Sequence, residues 1–284
     1  MSLLLREAPG LNTPLAWRSL LFSALENGVN TFEICANSDV LALGVGETLR
    51  AVERRLVFLS WRLRGDGRRP VTAESISQSV RAGLQRTGAG YFDLLLLDEQ
   101  AFVTLTDDGQ TYLGDLCAAG LCHQIGVAGE GPAIDQCISG HEFEALAIPF
   151  NLTSDWKARR RLKDSAAASM TVIGYDAFPH QLIRSASSGA PRPGLFRKTE
   201  PLAGAGTYAF LHETMGWSAE ELCLAYALTE PAFATIQVEA FRPEAIERLA
   251  AVTDRDLPTG VAAQIEMARF GEGSTGQTSE RRRA

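Results

Sequence analysis

Histidine, cysteine and tyrosine are scarce: four, five and five in 284 residues, and the first two stand in no pattern that metal or thiol chemistry requires. His123, His141, His180 and His212 lie far apart, with no HExxH or paired spacing, so a metal site is not expected. Cys35, Cys117, Cys122, Cys137 and Cys223 are odd in number and form no CxxC pair. They read as idle free thiols of a reducing compartment. Cys122 has a base beside it in His123, but neighbours on a strand point to opposite faces, so the two are not expected to cooperate. No GxSxG elbow and no P-loop is present. No run reaches the roughly 18 apolar residues of a membrane span, and MSLLLREAPG places an acid where a secretion signal would continue its apolar core. Basic residues are the minority, 27 against 34 acidic, for a net charge of −7. That balance leaves no electrostatic footprint for nucleic acid or an anionic membrane surface. The expectation is a cytoplasmic protein.

What is abundant is apolar material, 45% of the chain, arranged in alternating helical and strand patterns. Leu15 to Asn27 reads as an amphipathic helix ending at Gly28, and Val29 to Phe32 as a strand. Val40 to Glu53 reads as helix and Leu56 to Leu63 as strand. Thr72 opens a helix whose face is marked by Ile76, Val80 and Leu84. FDLLLLD is a continuous apolar run of strand length, as expected of a strand buried on both faces in a parallel sheet. The alternation continues with a helix near Tyr112 to Ala119, the strand HQIGVA, a short helix near Pro132 to Ile138, the strand ALAIPF, the helix WKARRRLKDSAAA and the strand MTVIGY. Ser218 then caps a helix to Leu228, PAFATIQV makes a last strand, and Pro243 begins a helix ending near Val252. About eight such units predict an α/β fold, a single closed (β/α)8 TIM barrel over residues 1–270, with an open doubly wound sheet as runner-up.

The rest of the chain carries weaker signals. Pro179 to Thr207 is rich in Ser, Gly and Pro and reads as a long functional or degenerate loop. GAGTYA at Gly204 to Ala209 matches GxGxxA but follows no clear strand, so it reads as a turn. Residues 271–284, polar and glycine-rich with a terminal RRR, read as a disordered basic tail. Ala158 to Arg161, ARRR, reads as the wet face of its helix. The arginine-rich, lysine-poor usage suggests a bacterial source.

The succession ALENGVNTFE, RLVFLSWRL, TAESISQSVRAGLQRTGAGYFDLLLLD, AAGLCHQIGVAG, AIPFNL, TVIGYDAF and FRPEAIERLAAV resembles the aldo-keto reductases from about Leu15 to Val252. The resemblance implies a (β/α)8 barrel that reduces carbonyls with NADPH or NADH. It also implies a catalytic set of Asp, Tyr, Lys and His at the ends of strands two to four, whose places here are taken by Glu33, Ser38, Arg62 and Asp98. A serine hydroxyl is far too weak an acid to stand in for a tyrosine, arginine does not shuttle protons, and a carboxylate at Asp98 has the wrong sign beside a developing alkoxide. The polar anchors of the nicotinamide carboxamide fall on Ala128, Gly129 and Ala147. Tyr175 matches the aromatic that stacks on nicotinamide. Near the phosphate loops the chain offers Asp176 and Glu239, with Arg242 to offset them.

Glu33 and Arg62 are expected to pair and fill the old pocket. The resemblance then implies a catalytically degenerate regulator that binds a protein partner and senses NAD(H), as potassium-channel β subunits and bacterial cell-cycle regulators on this fold do. Two other readings stand beside it. One is an active NAD(P)H-dependent oxidoreductase with non-standard residues, and the other a lyase or isomerase using Glu33 and Asp98 as an acid–base pair.

Overall fold

The computed structural model describes residues 1–35, 38–179, 182 and 208–269. Eight parallel strands close into one barrel in sequence order. They are β1 (Ser2–Leu5), β2 (Thr31–Ile34), β3 (Phe58–Leu63), β4 (Phe92–Asp98), β5 (Cys122–Ala128), β6 (Ala145–Pro149), β7 (Thr171–Tyr175) and β8 (Phe233–Val238). The helices are α1 (Pro14–Glu26), α2 (Asp39–Leu49), α3 (Ala73–Thr87), α4 (Glu99–Val103), α5 (Asp107–Ala118), α6 (Pro132–Gly140), α7 (Trp156–Ala167), α8 (Phe210–Glu213), α9 (Ala219–Leu228) and α10 (Pro243–Ala250). A further helix covers 261–269. None among the described residues is long and apolar enough to cross a membrane.

The open-sheet alternative is overturned by β1, which the sequence reading did not assign. Four residues beside Met1 carry no alternation to read. Yet β1 pairs with β2 through Leu4 and Glu33 and with β8 through Ser2 and Gln237, which leaves no free edge. Ends move elsewhere too. α2 stops at Leu49 and gives way to a 3₁₀ turn at Arg54–Leu56, α5 begins five residues before Tyr112, and α4 is additional. Side-chain caps open most of the longer helices. Thr72 and Ser75 form a reciprocal capping box on α3, as Ser218 and Glu221 do on α9.

Period-two alternation divides each strand between two cores. Outward residues such as Phe32, Ile34, Leu95 and Leu97 join the helices in the large core. Inward residues divide the barrel lumen into two halves. Leu94, Leu96, Ala128, Ala145, Ala147 and Ile173 make a dry cluster along β4 to β7, with Phe58 and Tyr175 against it. The opposite half, on β1, β2, β3 and β8, buries the polar side chains Ser2, Glu33, Ser60 and Gln237.

Candidate functional site

Polar chemistry at the C-terminal mouth begins with Glu33. It lies inside β2, the third of four residues, rather than beyond the strand end as its apolar run predicts, and it is 1% exposed. A buried carboxylate needs compensation. Its Oε1 accepts from Arg62 Nε of β3 at 2.6 Å, and its Oε2 accepts from Gln237 Nε2 of β8 at 3.0 Å. The Arg62 guanidinium also stands 5.7 Å from the centroid of the Tyr175 ring. Burial pulls the Arg62 pKa down, but the charge and hydrogen bond of Glu33 outweigh it, and the guanidinium is held charged. Burial pushes the Tyr175 phenol well above its ordinary range, against the pull of Arg62. The Tyr175 phenol is thus a weaker acid than free tyrosine.

The other two catalytic-position side chains serve helix starts. Ser38 is the N-cap of α2, its Oγ accepting from Leu41 N at 3.5 Å. Asp98 caps α4, its Oδ1 accepting from Ala101 N at 2.7 Å and from Gly65 N, in the loop after β3, at 3.0 Å. Glu33 and Asp98 are therefore committed to different partners, Glu33 to side chains across the barrel and Asp98 to backbone, which offers nothing to an acid–base pair. The charge that Asp98 brings is already shared with two backbone donors.

On the cofactor side, Ala128 and Ala147 belong to the dry cluster, and Gly129 offers no side chain. Glu99 occupies the space above β5 instead. Its Oε2 accepts from Gly131 N at 2.8 Å, and a Cβ on Gly131 would lie 1.9 Å from Glu99 Oε1, so any larger residue there would push the Glu99 carboxylate aside. Beyond β7, Asp176 takes a left-handed φ of 54° and its carbonyl accepts from Asn151 Nδ2 at 3.0 Å. Glu239, beyond β8, pairs with Arg6. That leaves Arg242, exposed at the N-cap of α10, without an ion pair among the described residues. A cation on a helix N-terminus after strand eight is what a phosphate seeks in such barrels.

Several expectations change on the flank. Only Arg160 of the ARRR run is mostly wet. Arg159 donates to the Tyr226 hydroxyl, and Arg161 grips Asp135 with bonds of 2.7 and 3.0 Å. Cys122 and His123 do part to opposite faces, the thiol buried and the imidazole tilted against the Tyr91 ring, centroids 4.4 Å apart. Two of the thiols read as idle are in contact, Cys117 Sγ and Cys122 Sγ standing 2.7 Å apart. Among the described residues no group of His, Cys, Asp or Glu is placed to hold a metal ion. His180, most of GAGTYA, the Pro179–Thr207 loop and the basic tail lie outside the described residues, save for Pro179, Leu182 and the last two residues of that motif. Gln237 and Glu99 went unread. Gln237 had a signal, as an amide flanked by Ile236 and Val238 in a mostly apolar strand, whereas Glu99 had none.

Residues 16–269 match the Aldo/keto reductase family profile. An aldo-keto reductase from Klebsiella pneumoniae, solved in complex with NADPH, is 18% identical with a TM-score of 0.66, over 92% of this chain and 86% of that one. The holo form of aldo-keto reductase AKR11C1 from Bacillus halodurans is 16% identical with a TM-score of 0.69, over 89% and 86%. At such identities the structural likeness speaks for the fold alone. No curated protein matches the chain.

Proposed function

The chain belongs to the aldo/keto reductase family, and we propose that it binds a nicotinamide dinucleotide, NAD(P)(H), over the C-terminal mouth of the barrel and acts through that binding. Tyr175 offers an aromatic face to the nicotinamide, and Arg242 with the α10 N-terminus offers the phosphate contact. The residues fit the group in part, because Ala128, Gly129 and Ala147 supply no side-chain anchor for the carboxamide. When bound, the group supplies a hydride.

The observation that carries the reading is the closed Glu33–Arg62–Tyr175 cluster, with Ser38 and Asp98 engaged as helix caps. No side chain in this set is poised to give a proton to a forming alkoxide. Binding without turnover suits a cytoplasmic regulator that meets a protein partner. That regulatory role draws no support from the comparisons and rests on the chemistry of the mouth.

A second reading is favoured by the comparisons: an NAD(P)H-dependent oxidoreductase that reduces a carbonyl with non-standard residues. The family itself and relatives solved with NADPH or with NADP and acetate support it. One titration separates the two. NADPH and NADH are added to the pure protein while nucleotide fluorescence is followed, and then a panel of aldehydes and quinones. Saturable binding with no oxidation of the nucleotide supports the first reading. Steady turnover above that of a Ser38→Ala variant establishes the second, and no binding at all rejects both.

A further inference from the structure

On the flank of the barrel, between α3 and the ends of β2 and β3, lies a cavity of about 390 Å³. It falls in the size range of small-molecule sites. Arg62 of β3, Arg64 just beyond that strand and Arg86 of α3 all line it, and among the described residues no aspartate or glutamate does. In a chain with 34 acidic residues against 27 basic ones, a cavity lined by three arginines and, among the described residues, no carboxylate is against the overall balance. The carboxylates that answer these arginines stand outside the lining. Glu33 meets Arg62 from inside the barrel, and Asp39 meets Arg86 at 2.9 Å. Arg64 is exposed and has no ion pair among the described residues.

Two further groups on the wall favour a negative guest. Ser79 Oγ accepts from the Trp61 indole at 3.1 Å, and the described residues offer no acceptor to its own hydroxyl hydrogen. Burial keeps the Cys35 thiol protonated even against the pull of Arg62 and Arg64, so it adds no competing anion.

We infer that this flank cavity binds a small, multiply charged oxyanion, a phosphate or polycarboxylate, held by Arg64 and Arg86 with the Ser79 hydroxyl and with Arg62 as its inner wall. Guanidinium forks suit both chemistries, since each presents paired oxygens to paired N–H donors. Arg62 walls the cavity on one side and pairs with Glu33 on the other, so an anion there bears on the polar half of the lumen. The inference does not rest on dinucleotide binding, because the cavity and Arg242 lie on different strands' loops.

The test is calorimetric and thermal titration of the full chain, free of dinucleotide, with sodium pyrophosphate in one arm and citrate in the other, at constant ionic strength. Saturable binding and a rising unfolding midpoint in either arm are expected, the arm telling phosphate from carboxylate. Arg64→Gln, an exposed position safe for folding, is expected to weaken binding about tenfold or more, as loss of one charge-assisted contact predicts. Arg86→Gln is expected to weaken it as well, and Arg242→Gln to leave the Arg64-dependent binding unchanged. Absence of saturable binding in both arms overturns the inference, as does equal binding by Arg64→Gln. Loss in Arg242→Gln with retention in Arg64→Gln also overturns it, by placing the anion at the dinucleotide phosphate position.

Discussion

Glu33 Oε1 and Arg62 Nε face each other at 2.6 Å across neighbouring strands, and the carboxylate's second oxygen is held by Gln237. With the Glu33 side chain fully buried and that of Arg62 11% exposed, neither charge has water to fall back on. Removing one partner should therefore cost far more than removing both. Glu33→Gln and Arg62→Met are each expected to lose about 3 to 5 kcal/mol, whereas the double variant recovers most of it. Urea unfolding of the three proteins measures this, and a double variant as unstable as the singles would show that the pair is not what matters.

Tyr175 sets an alkaline limit. Burial raises its folded pKa above that of the unfolded chain, so its neutral form favours the fold. The contribution is whole below the unfolded value near 10 and declines as pH climbs from there toward the folded one. Tyr175→Phe should flatten the loss of stability above about pH 10. Ultraviolet titration of tyrosinate should show one residue in the wild type ionising last, and that residue missing from the variant.

Asp98 ties the start of α4 to the loop after β3 through one oxygen. Asp98→Ala should cost about 1 to 2 kcal/mol, and Asp98→Asn much less, because an amide oxygen still accepts from both backbone donors. Hydrogen exchange at the Gly65 and Ala101 amides should accelerate in the alanine variant and stay near wild type in the asparagine one.

Arg242 stands exposed at a helix N-terminus with no carboxylate partner among the described residues. If a dinucleotide phosphate lies there, Arg242→Gln should raise the NADPH dissociation constant by roughly tenfold to a hundredfold, as loss of a charged hydrogen bond predicts. Unchanged affinity by fluorescence titration would move the phosphate elsewhere.

Cys117 and Cys122 already touch, one near the end of α5 and the other at the start of β5. Excess oxidised glutathione should join them, the two thiols giving up their hydrogens as the glutathione disulfide is reduced to two thiols. The product should lose two alkylatable cysteines, and a tryptic map should link the two positions. Burial holds Cys137 and Cys223 as thiols, pushed up to about 12, so both should alkylate slowly at neutral pH.

Much of the barrel could be read because burial writes itself into composition. Leu94 to Leu97 is an unbroken apolar run since both of its faces are covered, and Ile76 and Val80 recur on α3 because one face of that helix is. β1 is too short for any period, and its identity as a strand comes from two partners distant in sequence. The mouth was legible only as positions. That Glu33 and Arg62 lie on adjacent strands followed from their order, but the third member, Gln237, arrives from the far end of the chain. Arg159 and Arg161 read as solvated because charge alone does not reveal a waiting Tyr226 or Asp135.

The pairing of Ser2 with Gln237 also orders events in time. Nearly the whole polypeptide separates the first stave from the last, so β1 waits for β8 to emerge from the ribosome before it gains its second neighbour. Closure of the ring is the most non-local step that the chain makes, and its entropy must be met before the seam gives anything back. Until then the amides of the opening strand have partners on one flank only, and the newborn chain is most exposed to association with its copies.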